Sequence, residues 1–181
     1  PGFLNLSLKP DFLIRAVNSP PPKTDSTETV VIDFSSPNLA KEMHVGHLRT
    51  TLIGDTMARV FEYQGHKVIR QNHVGDWGTQ FGMLIAYLDS VGTSADDLKD
   101  LEVFYQKAKK RFDEDPDFAE KSRAYVVALQ QDQPEVLEKW RAFIEISMSH
   151  CGEIYSDLNV TLHRKDTFGE SQYKGKIPSI M

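Results

Sequence analysis

A chain of 181 residues with 40% hydrophobic content can bury one core and part of a second. Its formal net charge of -5 excludes a protein that coats nucleic acid by bulk electrostatics, so any RNA contact must be local. The single cysteine, Cys151, excludes an internal disulfide framework and a cysteine-based zinc site, no apolar run approaches the roughly 18 residues of a membrane span, and Pro1-Gly2-Phe3-Leu4-Asn5 lacks a signal-peptide pattern, so a cytoplasmic setting is expected.

Residues 3–9 alternate apolar and polar, which predicts a half-buried strand, and Pro10-Asp11 opens a short helix through Val17. Residues 19–29 hold a proline triplet among Ser, Thr and Asp, the composition of an extended linker and a domain boundary. Val30-Val31-Ile32-Asp33-Phe34 reads as a parallel strand covered on both faces, followed by a Ser35-Ser36-Pro37-Asn38 loop. From about Val45, the apolar residues Leu48, Leu52, Ile53, Met57, Val60 and Phe61 recur at helical spacing up to Gly65, a left-handed cap. Residues 67–74 read as a second strand, which makes 30–74 a β-loop-α-β unit with a right-handed crossover and a nucleotide-binding half-fold.

After the turn-rich Gly75-Asp76-Trp77-Gly78, residues 79–91 are predicted helical. Residues 97–158 read as three helices broken near Asp115-Pro116 and Gln133-Pro134. Val136, Trp140, Phe143, Ile144, Met148 and Ile154 give the last one an apolar stripe, and the stretch is expected to be a separately packed insertion. Residues 160–163 are a candidate returning strand.

The chemistry gathers at His44-Val45-Gly46-His47, where the first loop enters the long helix. Unpaired N–H groups and the macrodipole there attract an anion, and two imidazoles add directional donors that can follow charge on a transferring phosphoryl group. Gly46 leaves room for a base or ribose against the backbone. Paired histidines of this spacing also occur as structural residues or metal ligands. Their place after a buried strand, with Lys41 three residues earlier, favours the anion.

Ser36-Pro37-Asn38, His44-Val45-Gly46-His47 and Gly75-Asp76-Trp77-Gly78-Thr79-Gln80-Phe81-Gly82 together resemble the catalytic domain of the arginyl-tRNA synthetases. The four-residue signature matches class I His-Ile-Gly-His, with Val45 in place of Ile. The resemblance implies an α/β, Rossmann-like parallel-sheet half-domain with a helical insertion, preceded by the tail of a small α+β N-terminal domain. Its segments would be 1–18 for that tail, 19–29 for the linker, 30–92 for the first catalytic half, 93–158 for the insertion, and 159–181 for a truncated return segment.

It further implies that Ser36, Pro37, Asn38 and His47 line the arginine site, with Asn38 on the α-amino end, and that His44, Gly46 and His47 hold ATP, with Lys41 near its phosphates. Asp76 is read either as a carboxylate holding a cationic group or as a turn former beside Gly75. The implied reaction is attack of the arginine carboxylate on Mg2+-bound ATP to give arginyl-adenylate, then transfer to the terminal ribose of tRNA(Arg), with no tightly bound cofactor, no resident metal and no covalent intermediate. Cys151 is then a small apolar helix residue and not a nucleophile. Lys107, Lys109, Lys110 and Arg111 read as a solvated helix face, because Asp113, Glu114 and Asp115 follow at once.

The later Lys-Met-Ser-Lys-Ser-type loop, the second half of the sheet, the guanidinium pocket and the helical anticodon-binding domain of that family have no counterpart in the sequence. The chain is therefore expected to be a piece of a longer synthetase, inactive alone, which in its full form could join a synthetase complex. Two alternatives stay open. One is a non-catalytic paralogue that keeps the fold as an interaction module, and it would be signalled by loss of Asn38, Lys41, His44 or His47. The other is a small stand-alone adenylyltransferase, for which the helical segment leaves too little chain.

Overall fold

The computed structural model describes residues 2–92 and 101–179. Helix α1 spans Pro10–Asn18, β1 Thr29–Asp33, α2 Val45–Gln64, β2 Lys67–Val74, α3 Thr79–Val91, α4 Leu101–Glu114, α5 Pro116–Gln130, α6 Pro134–Asp157 and β3 Thr167–Gly169, with 3-10 turns over 164–166 and 170–179. Prolines at the first helical position start α1, α5 and α6, where the missing N–H costs nothing, and Gly65 at φ 101° ends α2 as predicted. The three strands are parallel in the order β1-β2-β3, β1 pairing with the first half of β2 and β3 with the second. This is the α/β half-domain expected. The start of the predicted helical stretch, residues 97–100, lies outside the described residues.

Several expectations need correction. Residues 3–9 form no strand, because nothing among the described residues pairs with them, and α1 buries none of its residues. The strand at 160–163 is displaced to 167–169: Thr161 gives its backbone N–H to Asp55 Oδ1 at 2.8 Å and its hydroxyl to the same carboxylate, so that N–H is not available to a ladder. Strand β1 is covered on one face only, since Val31 is 62% exposed and its register partner Ile69 is 40% exposed. The helical segment is not separately packed. One continuous core runs from Phe34, Leu39, Ala40 and Val74 through Phe81 and Leu84 of α3 to Phe104, Phe118, Phe143 and Met148.

Polar contacts stitch the same seam. The Ser147 hydroxyl donates to the Leu39 carbonyl, and Trp140 Nε1 donates to the Asp76 carbonyl at 2.7 Å, so α6 grips both loops that follow the strands. On α4 the basic cluster meets acids one turn on: Lys109 with Asp113 at 2.5 Å, Lys110 with Glu114 at 4.0 Å, Arg111 with Asp115 at 3.4 Å. Burial pushes the Cys151 thiol up to about 11, so it stays protonated and packs as an apolar group.

Candidate active site at the carboxyl ends of the strands

The loop after β1 is built under strain. Ser35 and Ser36 both have positive φ, 73° and 48°, a region that costs non-glycine residues of order 1–3 kcal/mol each and persists only where the surroundings enforce it. Here they do. Phe34 N–H donates to the Gln71 carbonyl at 3.0 Å, Ser36 N–H to Asn72 Oδ1 at 2.9 Å, and Ser36 Oγ to Asp33 Oδ1 at 3.2 Å. Ser35 Oγ lies 2.7 Å from the Tyr155 hydroxyl of α6. Side chains then alternate, with Ser35, Pro37 and Leu39 buried and Ser36 and Asn38 facing out.

The Gly75 turn clamps the other side of this loop. Gly75 N–H donates to the Pro37 carbonyl and Leu39 N–H to the Gly75 carbonyl, both at 3.0 Å, forming an isolated parallel bridge between Asn38 and Gly75. A Cβ on Gly75 would overlap Asn38 Oδ1. Glycine therefore lets the asparagine amide lie against the turn, where the sequence alone suggested only a turn. Asp76 stands beside this clamp, buried, with Oδ1 accepting from Ser171 N–H at 2.8 Å and Oδ2 from Ser171 Oγ at 2.5 Å. Its partner is thus a neutral serine that closes the turn after β3.

At the start of α2, His44 is the N-cap and its Nδ1 accepts from Gly46 N–H at 3.1 Å, while His47 Nδ1 accepts from His44 N–H at 3.3 Å. The rings stack with centroids 3.8 Å apart and planes 22° from parallel. Because each Nδ1 is an acceptor, each neutral ring carries its proton on Nε2, so the stacked pair offers two Nε2–H donors at the positive end of a 20-residue helix. Partial burial, and then the neighbouring His44, lower the His47 pKa below 6.5, which keeps it in this neutral donor form. Lys41 is exposed, with its ammonium 5.0 Å above the Tyr105 ring.

The structure thus brings Ser36, Pro37 and Asn38 onto one clamped loop and pairs His44 with His47 around Gly46, while Asp76 and Lys41 are engaged elsewhere. Four further residues were missed in the sequence. Asn72 is a fully buried amide on β2, but Arg70, Gln71 and His73 beside it are polar too, so nothing in the sequence set it apart. Tyr155 meets it from α6. Asp33 Oδ2 accepts from His73 Nδ1–H at 2.8 Å, and His73 Nε2 lies 2.8 Å from the Tyr173 hydroxyl, from which it accepts when the ring is neutral. Asp33 and His73 lie on the open face of the sheet. Among the described residues, no group of three or more His, Cys, Asp or Glu side chains is placed to hold a metal ion.

Residues 10–181 match the family described as tRNA synthetases class I (R), catalytic domain. Arginine–tRNA ligase of Cellvibrio japonicus is 53% identical over 192 residues, covering 100% of this chain and 33% of the relative. That of Pseudomonas putida is 52% identical over 188 residues, with 100% and 32% covered. The crystal structure of arginyl-tRNA synthetase from Plasmodium falciparum superposes with a TM-score of 0.70 at 38% identity, over 84% of this chain and 26% of that one. The Thermus thermophilus arginyl-tRNA synthetase superposes at 0.61 and 27% identity, over 78% and 24%. The chain spans about a third of the length of the curated relatives it matches.

Proposed function

The chain belongs to the class I tRNA synthetase (R) catalytic-domain family, and from that membership we propose that it is the ATP-binding part of a longer arginine–tRNA ligase working in the cytoplasm. The observation that carries the reading is the pair of Nε2–H donors of His44 and His47 at the α2 N-terminus, beside the clamped Ser36-Pro37-Asn38 loop. Phosphates of Mg2+-bound ATP bind at that helix end, with Gly46 against the nucleoside and Lys41 turning from Tyr105 toward the phosphate charge. Ser36 and Asn38 hold the amino end of arginine. Asp76 is buried with both oxygens bonded to Ser171, whereas the Asp33 carboxylate at the end of β1, bonded by Ser36 and His73, stays exposed and is the acid placed to attract a cationic substrate.

In the first step the arginine carboxylate oxygen attacks the α-phosphorus in line, the bond from that phosphorus to the oxygen shared with the β-phosphate breaks, and pyrophosphate leaves. The two imidazole N–H groups and the helix end stabilise charge as it moves onto the phosphate oxygens, so the protein contributes position and electrostatics and no covalent intermediate. Transfer of arginine to the terminal ribose of tRNA(Arg) follows. The isolated 181 residues leave this site half built and carry little or no aminoacylation. Charging of total tRNA by the full-length protein with each labelled amino acid tests the reading: arginine alone should be incorporated. Robust charging by the isolated chain, or equal charging with another amino acid, would refute it.

A further inference from the structure

We infer that Tyr155 and Asn72 are positioning residues for the amino-acid site, holding the strained Ser35-Ser36 turn that aims Ser36 and Asn38. The inference rests on the proposed arginine-activating role of that loop, but the network that carries it is independent of any ligand. The donor and acceptor roles of Asn72 follow from counting. Asn72 Oδ1 must be its carbonyl oxygen, because it accepts Ser36 N–H at 2.9 Å, so Nδ2 donates, reaching the Tyr155 hydroxyl and Thr167 Oγ1 at 3.3 Å each. The Tyr155 hydroxyl, which accepts from Asn72, also bonds Ser35 Oγ at 2.7 Å, where either hydroxyl can be the donor. Ser35, Asn72 and Tyr155 are all buried, so no water can substitute for a missing partner.

Two consecutive non-glycine residues at positive φ would relax in an unsupported loop. Each is held by one member of the pair: Ser35 through its hydroxyl by Tyr155, Ser36 through its backbone by Asn72. Asn72 lies on β2 and also touches β3 through Thr167, while Tyr155 lies near the end of α6. The segment read from sequence as a peripheral insertion therefore reaches into the substrate loop. Neither residue touches the outward face where Ser36 and Asn38 meet substrate, so both act through the loop and not on the reacting atoms.

The test uses the full-length protein with Tyr155→Phe, Ser35→Ala, the double variant Y155F/S35A and Asn72→Leu. Y155F keeps the packed ring and removes only the hydroxyl. Native-state hydrogen exchange at the Ser36 amide reads the loop without needing activity, and it should quicken about tenfold or more in Y155F and N72L while amides in the middle of α6 stay unchanged. In arginine-dependent pyrophosphate exchange, Y155F should raise KM for arginine by about tenfold with KM for ATP within about twofold, and the double variant should match the larger single. Unchanged Ser36 exchange in Y155F overturns the inference, as does an equal rise in both KM values. Should wild type show no arginine-dependent exchange while the Ser36 amide still responds, the arginine reading fails and the coupling of Tyr155 to the loop stands.

Discussion

Helices α2 and α3 lead into and out of the same strand, yet they bury opposite kinds of surface. Helix α3 turns Phe81, Met83, Leu84, Ile85 and Leu88 into the core, whereas α2 buries only Thr51, Gly54, Asp55 and Ala58. The large apolar residues of α2 point outward, with Leu52 43%, Ile53 55%, Met57 47% and Val60 50% exposed. Small residues on the inner face let α2 lie close to the loop, and a Cβ on Gly54 would overlap Phe34. Hydrophobic periodicity marks a helix and its stripe. It does not say whether the surface that covers the stripe lies within the same 181 residues.

That contrast can be broken at its buried end first. Phe81→Ala removes a ring with no exposed surface and should cost about 3–5 kcal/mol of stability in denaturant unfolding. A loss under about 1 kcal/mol would mean that the seam between α3 and the loop is not the core. Gly75→Ala pushes the Asn38 amide from its place, and arginine-dependent activity of the full-length protein should fall by about a hundredfold while its fold survives. Activity within about twofold of wild type would show that Asn38 needs no such clamp.

The polar inner face of α2 gives a pH-dependent test. Burial alone would raise the Asp55 pKa, but hydrogen bonds from Thr161 and Arg59 outweigh it and leave the carboxyl below its ordinary 3.8. Folding then favours the ionised form, so the contribution is complete above about pH 4 and is lost as pH falls through the lowered pKa. Asp55→Asn should therefore cost about 1–3 kcal/mol at pH 7, a gap that closes in acid, seen as converging urea midpoints. A gap that widens in acid would reverse the assignment. On the outer face, Ile53→Ser should change the stability of this chain by no more than about 0.5 kcal/mol. A larger loss would place a covering surface inside these residues. His47 offers the finest probe: its ring proton resonance should titrate below 6.5, because partial burial and then the neighbouring His44 disfavour the imidazolium.

Much of the fold was legible because punctuation is local. Pro116 and Pro134 start helices, Gly65 ends one, and Lys67–Val74 is a strand at its predicted limits. What was misread depends on partners. Residues 3–9 alternate like a strand but have no strand partner among the described residues, and Thr161, read as part of a returning strand, is drawn off by Asp55. The candidate site divides the same way. His44, Gly46, His47 and the Ser36–Asn38 loop are contiguous in sequence and could be read directly. Tyr155 and Asn72 lie 83 residues apart and meet only through tertiary packing, and the engagement of Asp76 by Ser171 spans 95.

The stacked His44–His47 pair is proposed to serve ATP-driven activation of arginine. Pyrophosphate exchange by the full-length protein, with arginine and with each other amino acid, for wild type, His44→Ala and His47→Ala, addresses it most directly. Exchange should proceed with arginine alone and fall by about a hundredfold or more in either variant at unchanged fold. Exchange that persists in both variants, or that proceeds equally with a different amino acid, would contradict it.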